Sequence, residues 1–452
     1  MQHEELFGTD AALDELVQRR QERRHRAKNK VRAGWKVALA VFVVCGLGST
    51  VVIAFVKISS GRALARELEL AKRDGIPLTG RDYVTAPVPD SENAAPLYKK
   101  AIALLAKKPF PYSGVRYLAG RSTRSDVAEI EAWSPIWAKA TKIVDLAVTR
   151  LKCDFHIDWD HNIYSGNDYS GLRDLGRLEC VVALRESNPV AIIEHLSAAQ
   201  RISCDIGSDP TLIAYFTDIS LRSTVLNTAG RIAKNHGRDG TVLRALLKFS
   251  ESLQPVPSLK SHSLLEIAYG RHLLRDMSKE GWDPGTQFGT DETTLRLLRI
   301  GWLADSFEAN FVRYSRLYYE KLPVDGEDWK AQDKQSQEIL RAAEMDRSLS
   351  ATFTHMTGVG IGGSSAGVSR YLARKNLTRT TLELLLSRLT EGAFPKVLPK
   401  AAYTVDPFTD KPLIYKPGKN GFILYSVDRD GVDNGGTITN MVGQNDIVIT
   451  YP

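Results

Sequence analysis

The hydrophobic pattern of the chain begins with one long uncharged run. The segment from Val37 to Val56 reads VALAVFVVCGLGSTVVIAFV and contains no charged side chain. A helix of this length spans roughly 30 Å, which is the thickness of the hydrocarbon core of a bilayer. The run therefore predicts one transmembrane helix at residues 35–57. A buried core helix and a cleaved signal peptide are the alternatives, and the long charged leader disfavours the signal peptide.

The charges on either side of this run predict its orientation. A basic cluster, RRQERRHRAKNKVRAGWK, precedes the run, whereas Lys57, Arg62 and Arg66 follow it more sparsely. Because Lys and Arg resist translocation, the basic arm at residues 1–34 is expected to stay in the cytoplasm. The main body is then expected to be periplasmic or otherwise extracytoplasmic. The predicted location is the inner membrane of a bacterium, with the lipid bilayer as a partner.

Residues 58–365 show a succession of amphipathic patterns. Apolar residues recur at helical spacing between short stretches of Gly, Pro or Asp, as on both sides of the sequence GSDP. There, Asp209 is expected to cap a helix whose first residue is Pro210. No repeat period of about 34 residues is present, which argues against a repeat solenoid. The region therefore predicts an irregular bundle of helix hairpins.

The pattern changes in the last fifty residues. From Tyr403 onward, prolines, glycines and β-branched or aromatic residues replace the helical spacing. Short strands are predicted at LIYK, GFILYS and DIVITYP, joined by turns. The predicted fold is therefore mainly α, and residues 366–452 form a helix followed by a small β-rich tail.

The composition and the charge bear on one functional question, which is whether the protein binds nucleic acid. The chain is 43% hydrophobic and 25% charged, as in ordinary globular proteins, and its formal net charge is +7. Residues 1–36 hold nine Lys or Arg against six Asp or Glu, and the remaining positive charge is spread over the rest of the chain. Because the charge forms no stripe, nucleic acid is not expected as a partner.

The stretch TGVGIGGSSAGVSRYL matches two enzyme patterns. It contains GxGxxG, starting at Gly358, and GxSxG, centred on Ser365. Both patterns need a strand before them and a helix after them, and only the helix is indicated here. In addition, no histidine follows His355, so Ser365 lacks its usual base. A flexible connection or a close approach of helices is the preferred interpretation, and no catalytic or cofactor-binding residue is assigned.

Histidines, aspartates and cysteines offer weaker candidates. The segment CDFHIDWDHN would place His156, Asp158 and Asp160 on one face of an extended strand, which is compatible with a transition-metal site or with an exposed polar link. Outside the predicted anchor the chain has three cysteines, Cys153, Cys180 and Cys204. At most one disulfide can form among the three, and buried free thiols are the alternative.

The loop YSVDRDGVDNGG, at residues 425–436, is the one candidate site for calcium. Its candidate metal ligands are Asp428, Asp430 and Asp433. Calcium takes six to eight oxygen ligands, and carboxylates with backbone carbonyls could supply them, so a structural calcium is possible. The alternative is a plain turn between strands, because Asp and Asn cap their own backbone and glycine adopts positive φ.

The sequence DPFTDKPLIYKPGKNGFILYSVDRDG resembles the C-terminal part of the major pseudopilins of type II secretion systems. The family's Asp-Pro-aromatic turn corresponds to residues 406–408, its Pro-x-x-Tyr strand to 412–415, and its calcium-associated loop to 425–431. The resemblance covers about residues 366–452 and implies a pseudopilin-like β-rich tail. This chain departs from the family at Asp428, where glycine is usual. It also lacks a prepilin-peptidase site before the anchor.

The whole chain also resembles bacterial envelope proteins with a single anchor. The similarity is in the anchor, the segment SENAAPLY, the helical body and the tail. These patterns together predict a membrane-anchored, extracytoplasmic binding or scaffolding protein that is not an enzyme, with other envelope proteins as candidate partners. One alternative is a hydrolase-like envelope enzyme with a site in the helical body. Another is an accessory component of a secretion or pilus-like assembly.

Overall fold

A computed structural model gives the structure of the protein. The ranges that it describes are 50–83, 86–106, 110–155, 169–279, 299–345, 364–437 and 446–452, together with residues 15, 18, 19, 35, 36, 42, 43, 157 and 296. The chain divides into two compact units, Met1–Ala63 and Leu64–Pro452. The described part is mainly helical, with one small sheet near the C-terminus, which confirms the predicted mainly α class and the small β-rich tail.

The predicted membrane segment lies largely outside the described residues. Of Val37–Val56, only residues 42, 43 and 50–56 are described. The apolar side chains of Phe42, Val51 and Phe55 are exposed. Over the described ranges, no helix combines the length and the apolar character that crossing a membrane requires. Nearly all of the basic arm at 1–34 also lies outside the described residues.

The second unit contains twelve α-helices in its described part. Residues 64–73 are helical, and a short 3-10 turn follows at Gly80–Asp82. The helices are α1 (Ala95–Ala106), α2 (Tyr112–Leu118), α3 (Arg124–Ala147), α4 (Tyr169–Arg185), α5 (Pro189–Ile206), α6 (Leu212–Asn235), α7 (Gly240–Glu251), α8 (Leu259–His262), α9 (Leu264–Met277), α10 (Gly301–Lys321), α11 (Trp329–Met345) and α12 (Ser364–Glu391).

Helices that follow one another in sequence tend to pack together. Thus α4 packs on α5, α5 on α6, and α9 on α10. The approach of α4 to α6 is especially close, because a Cβ atom at Gly176 would lie 2.5 Å from a methyl group of Leu221. A side chain at this position would require Leu221 to move. The largest core cluster extends from α1 to the C-terminal sheet, and two smaller clusters lie apart from it, one of them between α9 and α10.

The start of α6 differs from the prediction. Thr211, not Asp209, is the N-cap residue, and its hydroxyl accepts a hydrogen bond from the Ala214 N–H at 3.2 Å. Pro210 lies before the helix, in a turn that the Thr211 N–H closes on the carbonyl of Asp209. The expectation that Asp209 caps this helix was therefore wrong. Asp209 instead accepts a hydrogen bond from the hydroxyl of Tyr169 at 3.1 Å.

Helix α12 is buried on most of its circumference. It packs against α6, α7, α11 and two strands of the sheet. Buried residues such as Val368, Tyr371 and Leu377 therefore do not fall on one narrow stripe. A helix that is apolar on several sides is typical of the interior of a large unit. This position makes α12 the support on which the C-terminal tail is assembled.

The tail forms the three-stranded antiparallel sheet that the sequence predicts. Its strands are β1 (Ile414–Pro417), β2 (Phe422–Ser426) and β3 (Ile447–Tyr451), in the order β1-β2-β3. Two side chains of α12 bind the segment before β1. The Asn376 amide donates to the carbonyl of Val405 at 2.8 Å, and the Thr380 hydroxyl donates to that of Tyr403 at 2.9 Å. Helical body and tail thus belong to one compact unit.

Candidate functional site

A cavity of about 290 Å³ lies where α6, α12 and β3 meet, and we call it the β3 cavity. The end of α2 closes one side of it. The residues that line it are Leu118, Ala119, Leu226, Asn227, Gly230, Arg231, Lys234, Arg374, Leu377, Thr378, Thr381 and all five residues of β3. Its volume is near the lower limit for small-molecule sites in proteins. The β3 cavity is therefore the right size for a small ligand.

One face of α12 supplies the floor of the β3 cavity. Arg374, Leu377, Thr378 and Thr381 are separated by three, four and seven positions. Because an α-helix has 3.6 residues per turn, this spacing places all four side chains on the same face. The face carries one cation, two hydroxyl groups and one apolar side chain.

A matching face of α6 supplies the opposite wall. Asn227, Gly230, Arg231 and Lys234 also recur at helical spacing. The absence of a side chain at Gly230 leaves space here, since a Cβ atom built at this residue would lie 3.7 Å from the Thr378 hydroxyl. The width of the β3 cavity between α6 and α12 therefore depends on this glycine.

The charge of the β3 cavity is entirely of one sign. Among its described lining residues three carry positive charge, namely Arg231, Lys234 and Arg374, and none is Asp or Glu. The Arg231 guanidinium donates to the Tyr117 carbonyl and lies 5.6 Å from the centre of the Tyr117 ring. Burial lowers its pKa. The β3 cavity is therefore electrostatically suited to a ligand of negative charge.

Arg374 is the most unusual of the three cations. No described residue hydrogen-bonds to its guanidinium or forms an ion pair with it, although burial and the neighbouring charge of Arg370 lower its pKa. The carboxylate of Asp428 raises the Arg374 pKa in part, but it already accepts a hydrogen bond from the Arg370 Nε at 3.0 Å. A partly buried guanidinium without a partner has a desolvation cost that an anion would offset.

A second polar group in the β3 cavity also lacks a partner. Thr381 is 1% exposed, and its hydroxyl oxygen is buried without a hydrogen-bond partner in the described part of the chain. Buried hydroxyl groups are almost always hydrogen-bonded, because leaving one unpaired costs free energy. Thr381 lies two helical turns after Arg374, so both side chains lie on the same face of α12.

All five residues of strand β3 line the β3 cavity. Among the described strands, only β2 pairs with β3. One edge of β3 pairs with β2, from Phe422↔Tyr451 to Ser426↔Ile447. The free edge of such a strand presents backbone N–H and C=O groups, which are further possible contacts for a ligand.

The structure places the predicted metal ligands in separate interactions. Asp428 accepts two hydrogen bonds from the Arg370 Nε, at 3.0 and 3.1 Å. Asp430 is exposed and accepts from the Val432 N–H at 3.1 Å. Asp433 accepts from the Tyr425 hydroxyl at 2.9 Å, and from a backbone N–H.

Within the described ranges no three His, Cys, Asp or Glu side chains are grouped so that they could hold a metal ion. The loop carries positive φ at Asp428 and at Gly431, Gly435 and Gly436, which is the geometry of tight turns. The residues that the sequence singled out for calcium therefore serve, in this arrangement, to connect β2 to α12 and to close turns.

Ser365 of the GxSxG pattern lies in the first turn of α12. Its side chain is buried, and its hydroxyl donates to the carboxylate of Asp333 at 2.8 Å. A carboxylate in this position holds the hydroxyl and supplies no histidine base, so the geometry is structural. The glycines at 358–363 lie outside the described residues, as do His156, Asp158 and Asp160.

The three cysteines are free thiols, as one of the two sequence expectations had it. Burial raises the pKa of Cys180 to about 12. Burial, followed by the nearby carboxylates of Asp205 and Asp209, raises the pKa of Cys153 strongly. Because the thiolate is the nucleophile, these shifts make the thiols poor catalysts. They are parts of the core.

A carboxylate–histidine pair joins α4 to α5. His195 Nδ1 lies 2.6 Å from the Glu179 carboxylate, which is fully buried. The hydrogen bond that His195 donates to the Glu179 carboxylate raises the pKa of His195, and burial raises the pKa of Glu179. Such a pair could assist a nucleophile, but neighbouring Cys180 has a raised pKa and no described serine contacts the histidine. The β3 cavity remains the better candidate site.

The sequence patterns do not predict the β3 cavity. Its cations lie on helices that are about 140 residues apart in sequence, at Arg231 and Arg374. One feature of the sequence could have pointed to the cavity. Two adjacent cations, Arg374 and Lys375, occur within a helix whose other faces carry apolar residues. Comparisons with protein-family models, with curated proteins and with solved structures found no match for this chain.

Proposed function

We propose that the protein is a membrane-anchored, extracytoplasmic binding or scaffolding protein, and that the β3 cavity is the place where its body binds a small ligand. The observation that carries this proposal is the make-up of the β3 cavity. It combines a mostly apolar lining with polar groups at Arg374 and Thr381 that have no hydrogen-bond partner among the described residues. Convergence of a few polar groups in a mostly apolar pocket is typical of ligand sites.

Binding without catalysis is supported by what surrounds these groups. A hydrolytic site needs a nucleophile beside a base, and the described lining holds no histidine, cysteine or carboxylate. The candidate nucleophile Ser365 is occupied by Asp333. The chemistry available in the β3 cavity is therefore recognition of shape and charge.

The anchor and the location are supported by sequence and by exposure. The uncharged run at Val37–Val56 follows a basic arm, and its described apolar side chains are exposed except that of Val56, which is partly buried. A long helix followed by an antiparallel sheet, as in α12 and the tail, supports the resemblance to pseudopilins and with it a place in the envelope. Protease treatment of spheroplasts tests the orientation, since the body should be digested and the arm protected.

A steric variant tests the binding function without altering any charge. Leucine at Gly230 would project into the β3 cavity, where the nearest atom to a new Cβ lies at an ordinary contact distance of 3.7 Å. Replacing a helical glycine also favours the helix, so the variant should fold. A mixture of chemically diverse fragments would be screened by saturation-transfer NMR against the full chain and against Gly230→Leu. Fragments that bind only the parent chain support the proposal, and equal binding to both contradicts it.

A further inference from the structure

The charge distribution and the lining of the β3 cavity together narrow the ligand class, on the basis of the function proposed above. We infer that the β3 cavity binds a small organic anion, namely a carboxylate or phosphate group attached to a short apolar body. The anionic group would bind to Arg374 and the Thr381 hydroxyl, and the apolar body would contact α2 and the strand.

The positive charge of the β3 cavity is not compensated by any acidic residue of its described lining. Arg231, Lys234 and Arg374 all line a space of about 290 Å³. The carboxylate that influences Arg374, that of Asp428, is occupied by Arg370. Three like charges around one small space repel one another, and an anion between them removes that repulsion.

The β3 cavity also contains hydrogen-bond donors that have no acceptor among the described residues. The Arg374 guanidinium has five N–H donors, and the structure gives it no described acceptor. The buried Thr381 hydroxyl also lacks a partner. Carboxylate and phosphate oxygens accept several hydrogen bonds at once and match the planar guanidinium. A neutral ligand would satisfy fewer of these donors.

Much of the remaining lining of the β3 cavity is apolar. Leu118, Leu226 and Leu377 come from three different helices, and Ile447 and Ile449 come from β3. These side chains cannot contribute to the binding of a hydrated inorganic ion. The three leucines are already buried, whereas Ile447 and Ile449 are partly exposed. An apolar segment attached to the anionic group would remove the remaining isoleucine surface from water. The ligand is therefore expected to be amphipathic.

A matched set of five-carbon probes tests the inference on the full chain in lipid nanodiscs. Pentanoate and pentyl phosphate carry the two anionic groups, pentanamide is the neutral isostere of pentanoate, and pentylamine carries the opposite charge. Isothermal titration calorimetry would measure the dissociation constant of each. Pentanoate or pentyl phosphate, or both, should bind at least tenfold more tightly than pentanamide, and pentylamine should not bind. The ratio of the two anions shows which anionic group is preferred.

Variants assign the binding to named side chains. Arg374→Gln should weaken binding of the preferred anion at least tenfold and leave pentanamide unchanged, and Thr381→Val should weaken it several-fold. Arg374→Lys should restore part of the loss, since it restores the charge without the planar geometry. Arg185→Gln removes an exposed arginine of α4 and serves as the matched control.

Three results would overturn the inference. They are anions that do not bind at 10 mM, anions that bind no better than pentanamide, and anion binding that is insensitive to Arg374→Gln. If pentanamide binds as well as pentanoate and Gly230→Leu abolishes both, the ligand class is wrong while the binding function stands. If Gly230→Leu leaves the binding of every fragment and probe unchanged, the binding function itself is wrong.

Discussion

Replacing Arg222 by methionine is expected to destabilise the second unit by about 3–5 kcal/mol at pH 7, because it leaves a buried carboxylate without its partner. Asp218 is 0% exposed, and the Arg222 Nε lies 2.7 and 2.8 Å from its two oxygens. The same guanidinium donates to the carbonyl of Gln254 at 2.7 Å. The substitution therefore removes a two-oxygen ion pair and the link from α6 to the segment after α7.

The pH dependence of this penalty follows from the pKa of Asp218. Burial raises that pKa, and the charge of Arg222 opposes the rise. Without Arg222 the folded-state pKa increases further above the unfolded value of about 3.9. When folding raises the pKa of a carboxyl group, the protein loses stability as pH increases from the unfolded pKa to the folded pKa. Arg222→Met should therefore cost less at pH 5 than at pH 7.

Urea unfolding followed by tryptophan fluorescence measures these free energies at both pH values. The double variant Asp218→Asn with Arg222→Met should be more stable than Arg222→Met alone, because it removes the unpaired charge. Arg185→Met, at the exposed end of α4, should change stability by less than about 0.5 kcal/mol. The reasoning is refuted by a penalty below about 1 kcal/mol at pH 7, or by a penalty that is equal at pH 5 and pH 7.

Two further sets of measurements follow from the other charged contacts. Burial raises the pKa of Glu179, and the hydrogen bond to Glu179 raises the pKa of His195, so the native state binds protons more tightly than the unfolded state. The free energy of unfolding should therefore fall as pH increases above about 4.3 for the glutamate and above about 6.5 for the histidine. Glu179→Gln should flatten this decrease, and an unchanged slope would contradict it. In the tail, Arg370→Gln should lower the melting temperature because it releases the Asp428 carboxylate. Because Asp428, Asp430 and Asp433 have separate hydrogen-bond partners, calcium added after EDTA should leave the melting temperature of the parent chain and of Asp430→Ala unchanged; a calcium-dependent rise that Asp430→Ala lacks would show instead that the loop binds calcium.

The elements that the sequence predicts well depend on short-range patterns. The strands GFILYS and DIVITYP are observed as β2 and β3, because alternation of apolar residues between turn residues is a local signal. The helical class of the body follows for the same reason. The start of α6 was misplaced because Pro and Asp both suit the first turn of a helix, and only tertiary contacts decide between a cap at Asp209 and one at Thr211.

The sequence alone could not predict the candidate site, because tertiary packing forms it. Its walls come from α2, α6, α12 and β3, and the register between them is fixed by packing at positions such as Gly230 and Thr378. Charge patterns along one helix do not reveal whether a cation has a partner on another. The Asp-rich loop drew attention because its ligand types are adjacent in sequence, yet its carboxylates have separate partners, one of them Arg370 on α12.

Photo-labelling of the full chain tests the central claim most directly, because it reports where a ligand binds. A pentanoate analogue with a diazirine on its alkyl chain would be photolysed with the protein in nanodiscs, and the labelled peptides identified by mass spectrometry. The account predicts labels on 226–234, 374–381 and 447–451 that excess pentanoate or pentyl phosphate prevents and that Gly230→Leu removes. Labels confined to other parts of the chain, or labels at these three segments that survive in Gly230→Leu, would contradict it.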